Sequence, residues 1–157
     1  MRSIGVVVNP IAGMGGRVGL KGTDGNVEQA RERGAEPRAT DRAREALEAM
    51  AATDADVEIV TYAGVMGEAV AREAGFDPEG EGEAAAGRDA DIVETTAADT
   101  RAAVQTFLDQ GVDLVLFVGG DGTAVDVAEA LEGAEAPIFG VPAGVKVYSS
   151  VFGVTPR

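Results

Sequence analysis

Five short apolar runs, separated by stretches with helical spacing, set the tightest limit on what this chain can fold into. Ile4 to Val8 is rich in β-branched residues and is stopped by Asn9-Pro10, and Val57 to Tyr62, Ile92-Val93, Leu114 to Val118 and Pro137 to Val141 follow. Uninterrupted apolar strands suit a parallel sheet covered on both faces, and Leu114 to Val118 has the composition expected of its central strand. Between the runs, Ala43, Leu47 and Met50 form a stripe opposite Arg42, Arg44, Glu45 and Glu48, with Thr40 and Asp41 as caps. The spacing also predicts helices over Gly67–Ala74, from an opening at Thr96 and Asp99 to a left-handed cap at Gly111, over Thr123–Leu131 and over Val145–Phe152. Asp77 to Asp89 reads as an acidic surface loop. Strands alternating with helices at this spacing imply right-handed crossovers and an open doubly wound, mostly parallel α/β sheet.

At 157 residues the chain has the length of one domain, and its 45% hydrophobic and 25% charged residues are ordinary globular values. The charge balance is not ordinary. Asp and Glu number 27 against 13 Lys and Arg, a net charge of −14, and only Lys21 and Lys146 are lysines. So acidic a chain repels a phosphate backbone, which argues against nucleic acid, and a carboxylate-rich, lysine-poor shell suits a salt-adapted surface. The absence of Cys and His excludes disulfides, thiol nucleophiles, Ser-His-Asp triads and imidazole-held zinc. With no signal-peptide core and no apolar run of membrane-spanning length, the expected location is the cytoplasm, without a membrane partner.

In doubly wound sheets ligands lie beyond the carboxyl ends of the strands, which directs attention to the glycine-rich loops after the first, fourth and fifth runs. The fourth run ends in Gly119-Gly120-Asp121-Gly122-Thr123. Glycines let backbone N–H groups approach a polyphosphate, a helix N-terminus presents further donors, and Thr123 is placed to cap the helix. Asp121 is the residue that does not belong in a plain phosphate cradle. A carboxylate there suits the capture of a proton from an attacking hydroxyl or a ligand position on Mg²⁺. The bland reading is a tight Asp-Gly turn between strand and helix.

Lys21 and Lys146, both in glycine-rich loops, are either phosphate contacts or surface positions, and Asn9 either bonds a nucleotide phosphate or caps its Pro turn. Arg17 is weaker, because the stretch from Gly13 to Gly25 misses both the dinucleotide fingerprint and the Walker A pattern. Asp126 is expected to be solvated, with a second metal ligand as the alternative. Tyr148 and Phe152 are expected in the core, with nucleobase stacking as the alternative, and Glu79, Glu81 and Glu83 on a solvated surface.

Gly119 to Thr123 resembles the GGDGT signature of NAD kinases and of diacylglycerol and sphingosine kinases. Two more blocks sharpen the likeness: Asn9 to Gly16 continuing through Gly19-Leu20-Lys21-Gly22-Thr23-Asp24, and Gly140 to Phe152. Together they resemble the ATP-NAD kinase-like branch, described as polyphosphate- or ATP-dependent NAD kinases and including proteins linked to acetoin catabolism. The resemblance implies an amino-terminal NAD kinase or diacylglycerol kinase fold, NAD as acceptor, ATP or polyphosphate as donor, and Mg²⁺. It implies Asp121 as the group that activates the 2′-hydroxyl of NAD, with Mg²⁺ as a second partner for it. Gly119, Gly120, Gly122 and Thr123 would contact phosphate, joined by Asn9, Gly144, Lys146 and Lys21 at the nucleotide.

Family members continue into a larger β-rich domain carrying an Asn-Glu pair for the adenosine ribose. Residues 1–157 are therefore expected to be a single nucleotide-binding domain without that second domain, completed by a homo-oligomer or a partner chain. Three readings stay open: an NAD kinase-like enzyme, a non-catalytic or split nucleotide-binding module, and a kinase for a lipid or sugar hydroxyl.

Overall fold

The structure is a computed structural model that describes residues 1–14, 32, 34, 37–144 and 147–153. In chain order its elements are β1 (Arg2–Val8), α1 (Ala39–Ala51), β2 (Val57–Thr61), α2 (Glu68–Glu73), β3 (Glu79–Gly80), α3 (Ala97–Gln110), β4 (Leu114–Gly119), α4 (Asp121–Ala130) and β5 (Ile138–Pro142). Short 3-10 turns occupy Gly64–Met66 and Ile92–Glu94. The strands form one parallel sheet in the order β3-β2-β1-β4-β5, so β1, not β4, lies in the middle.

Alternation along β1 divides the core. Ile4, Val6 and Val8 join Leu116 and Val118 beneath Ala39, Ala43 and Leu47 of α1 and Val70 and Ala71 of α2. Val7 joins Val115 and Phe117 on the opposite face, beneath Ala103, Val104 and Phe107 of α3 and Val127 of α4. Helices on both faces are what doubly wound connectivity produces. Gly5 lets α3 come close, because a Cβ built there would stand 2.6 Å from the Phe107 ring.

Capping worked as expected at α3. The Thr96 side chain accepts from Asp99 N, Asp99 accepts in return from Thr96 N at 2.8 Å, and Gly111 closes the helix at φ 70° and ψ 37°. Elsewhere local signals misled. α1 begins at Ala39 with no side-chain cap, and Asp41 is spent inside the first turn on Arg44 at 2.9 Å. Ile92 and Val93 are not a strand, since Asp91 accepts from Val93 N and Glu94 accepts from Asp91 N, closing a turn around them. The third strand is instead Glu79–Gly80, inside the acidic loop. It pairs with β2 at the sheet edge, where no apolar face is needed to hold it.

The stretch expected as a helix over Val145–Phe152 is not helical at its described residues, 147–152. Phe152 bridges to Gly140 beside β5, and Gly140 N donates to Val151 O at 2.9 Å. Its ring meets Phe117 edge-on, with centroids 5.4 Å apart, an aromatic contact that fixes it against the sheet.

Candidate functional site

The strand order reverses direction between β1 and β4, and there the carboxyl ends of the two strands leave the crevice in which open α/β sheets hold ligands. Backbone contacts stitch its walls together. Asn9 N donates to Val118 O at 2.9 Å, and Ala143 N, just past β5, donates to Gly119 O at 2.9 Å. Gly13, at φ 82°, lies so close to Ala143 that a Cβ would strike its carbonyl. Among the described residues, the starts of the loops after β1, β4 and β5 therefore lie against one another.

Thr123 does not cap α4. The helix begins two residues earlier, at Asp121, with Gly120 as its N-cap and no side-chain cap. Thr123 is buried, and its hydroxyl accepts from Asn9 Nδ2 at 3.1 Å, so the pair straps β1 to the first turn of α4 across the crevice. Gly119 has an internal reason to be glycine, because its Cβ would collide with Thr123. Gly120 and Gly122 show none: neither has a positive φ, and among the described residues nothing lies within 4 Å of a built Cβ at either.

Asp121 is half-buried and faces the segment after β5. Its Oδ1 accepts from Tyr148 N at 3.1 Å and Ser149 N at 2.9 Å, while Oδ2 accepts from Tyr148 N at 2.9 Å. A carboxylate has about four lone-pair positions, so these contacts leave room for one further partner, on Oδ2. Among the described residues no group of three or more acidic side chains gathers to hold a metal. Mg²⁺ is ordinarily held by one or two carboxylates together with substrate phosphates and water, and Asp121 offers one such position, on Oδ2.

The structure brings Asn9, Gly119, Gly120, Asp121, Gly122, Thr123 and Gly144 to one end of the sheet. Lys21, Lys146, Arg17 and the glycine-rich stretch from Gly15 to Gly25 lie outside the described residues. Asp126 is not solvated: its carboxylate is paired with Arg101 at 2.6 Å between α4 and α3, with 18% of the side chain exposed. Tyr148 is not in the core but 86% exposed, whereas Phe152 is half-buried. Glu79 and Glu83 are exposed and Glu81 is half-buried.

Sequence reasoning missed the role of the 148–149 backbone, because amide donors leave no side-chain signature. It also missed the apolar groove of about 580 Å³ between α1 and β5, walled by Met50, Leu114 and Phe139, which touches this end of the sheet through Pro142 and Gly144.

Away from the crevice, Glu68 is buried and holds the turn after β2. It accepts from Gly64 N at 3.0 Å and pairs with Arg72 and Arg88, and these contacts hold its carboxyl below the ordinary glutamate value despite burial.

Residues 4–157 match the family described as the ATP-NAD kinase N-terminal domain. The chain belongs to that family. A five-stranded parallel sheet with helices on both faces agrees with the membership, which places the chain among NAD kinase-like phosphotransferases at the level of the family. No curated protein and no solved structure matches it. Among the described residues no helix is long and apolar enough to cross a membrane.

Proposed function

We propose that this chain carries the base and the phosphate-binding loop of a phosphotransferase that moves a phosphoryl group from ATP or polyphosphate to the 2′-hydroxyl of NAD. The observation that carries the reading is the pair Gly120 and Gly122 on either side of Asp121. With ordinary φ and open space around them, nothing among the described residues requires glycine at either position. A phosphate approaching the uncapped first turn of α4 supplies the requirement, since any Cβ would keep it from the backbone N–H groups.

A ribose hydroxyl is a poor nucleophile until its proton has somewhere to go. In this reading Asp121 Oδ2 takes that proton as the 2′-oxygen attacks the terminal phosphorus of the donor. The new P–O bond forms as the bond to the ADP or shortened-polyphosphate oxygen breaks, and that oxygen leaves with the electron pair. Asn9 and Thr123 keep the crevice at a fixed width, and Gly119 keeps Thr123 close to β4. Gly144, Lys146 and Lys21 are assigned to the nucleotide phosphates. The exposed Tyr148 ring offers a stacking face next to Asp121. Magnesium, which family members use with ATP, would enter on the donor's phosphate oxygens.

The family matched is described as an N-terminal domain, which favours a second reading in which residues 1–157 are the nucleotide-binding half of a site completed by another domain or chain. A lipid hydroxyl is disfavoured, because a chain of net charge −14 is repelled by an anionic membrane surface. The test is NADP formation by the purified chain in concentrated KCl with NAD, Mg²⁺ and either donor. NADP supports the enzyme reading; ATP binding without NADP in folded protein transfers the assignment to the binding half.

A further inference from the structure

The strongest contact at the crevice that the phosphotransfer reading leaves unused is the one between the Asp121 carboxylate and the backbone of residues 148 and 149. Three N–H contacts from two consecutive amides fall on it, two on Oδ1 and one on Oδ2, at 2.9 to 3.1 Å. Neither side of the contact hangs on a free loop. Asp121 is the first residue of α4, and the amide-bearing segment is tied to β5 by Gly140 N donating to Val151 O and Gly153 N donating to Gly140 O, each at 2.9 Å. The Phe152 ring, edge-on to Phe117, anchors it on the sheet.

We propose that the N–H groups of Tyr148 and Ser149 are positioning groups that pin the Asp121 carboxylate so that Oδ2 is the only oxygen able to receive the acceptor's hydroxyl. Two physical consequences follow. The amides offset the repulsion that a carboxylate beside bound phosphates would otherwise meet, because N–H donors to an ionised acceptor make strong, short bonds. They also fix the base before the substrate arrives, which matters because a displacement of about 1 Å in a reacting group costs on the order of a hundredfold in rate. Ser149 acts here through its backbone, so its hydroxyl is not needed for the effect. The proposal rests on the phosphotransfer reading given above.

The test compares Ser149→Pro with Ser149→Ala in the full chain, since both lose the hydroxyl and only the proline variant loses the N–H. The expected result is a kcat for NADP formation at least about tenfold lower in Ser149→Pro than in Ser149→Ala, at similar KM for NAD. A second measurement guards against misfolding of the proline variant: the amide proton resonances of Tyr148 and Ser149, recorded without nucleotide in the wild-type chain and in Asp121→Asn. Loss of the charged acceptor is expected to move both upfield, while the Asn9 amide, bonded to Val118, stays in place. Amide signals indifferent to Asp121→Asn, or proline and alanine variants that turn over alike, overturn the positioning role and leave the phosphotransfer reading standing. A wild-type chain that forms no NADP removes the phosphotransfer reading and the positioning role with it.

Discussion

At the residue scale, Gly122 separates what the fold needs from what the proposed phosphate ligand needs. It lies in the first turn of α4 with open space where a Cβ would be, and glycine within a helix is less stable than alanine by roughly 0.5–1 kcal/mol. Gly122→Ala is therefore expected to raise the urea midpoint or leave it unchanged, and at the same time to weaken ATP binding by about tenfold, as titration calorimetry would show. Unchanged affinity would mean that no ligand comes close at that position. The glycines, the Asp and the Thr of this loop were legible in the sequence because each is a side-chain choice. What Thr123 does was not legible, since its partner Asn9 is remote in the chain and the two meet only when β1 and β4 become neighbours. The amides that hold Asp121 were illegible for a related reason: their donors carry no residue signature.

At the scale of elements, β1, β4, β5 and α3 could be read directly, because apolar runs, the Thr96–Asp99 capping box and Gly111 are local features. β3 could not, because an exposed two-residue edge strand has no pattern of its own. Where α3 crosses β1, Gly5 is the point of closest approach, and Gly5→Ala forces the Cβ against Phe107. Overpacking of this kind costs about 1–3 kcal/mol, to be measured by urea denaturation, and Phe107→Leu in the same chain should recover part of it.

The turn after β2 depends on an ionised Glu68. The N–H of Gly64 is the first cause of its lowered titration, followed by the pairing with Arg72 and Arg88. A folded value below the unfolded one means that the contribution is fully present above the ordinary glutamate range and is lost as pH falls through the folded value. Glu68→Gln is expected to be less stable than wild type at neutral pH, with the gap closing as the pH falls below the ordinary glutamate range. A gap of constant size from pH 7 to pH 3 would show that the charge has no part in it.

At the scale of the whole molecule, net charge is the dominant feature. With 27 acidic against 13 basic residues, self-repulsion works against compactness until salt screens it. Ion pairs answer part of the excess, among them Arg44 with Asp41 and Glu73, and Arg101 with Asp126. If this balance is an adaptation to salt, screening stabilises the chain. Its urea midpoint is expected to rise steadily between 0.1 and 2 M KCl, whereas a flat dependence would mark the acidity as incidental.

The same charge bears on the crevice, since an acidic surface does not attract nucleotides from a distance. In the proposed reading, binding comes from close-range groups, the N–H donors at the α4 terminus together with Gly144, Lys146 and Lys21, and Asp121 is reserved for the proton. The most direct test of that division of labour is to measure ATP affinity and NADP formation side by side in Asp121→Asn. Affinity within about threefold of wild type, with turnover lower by a hundredfold or more, is the predicted result, in line with the usual worth of a general base. Turnover equal to wild type would contradict the account.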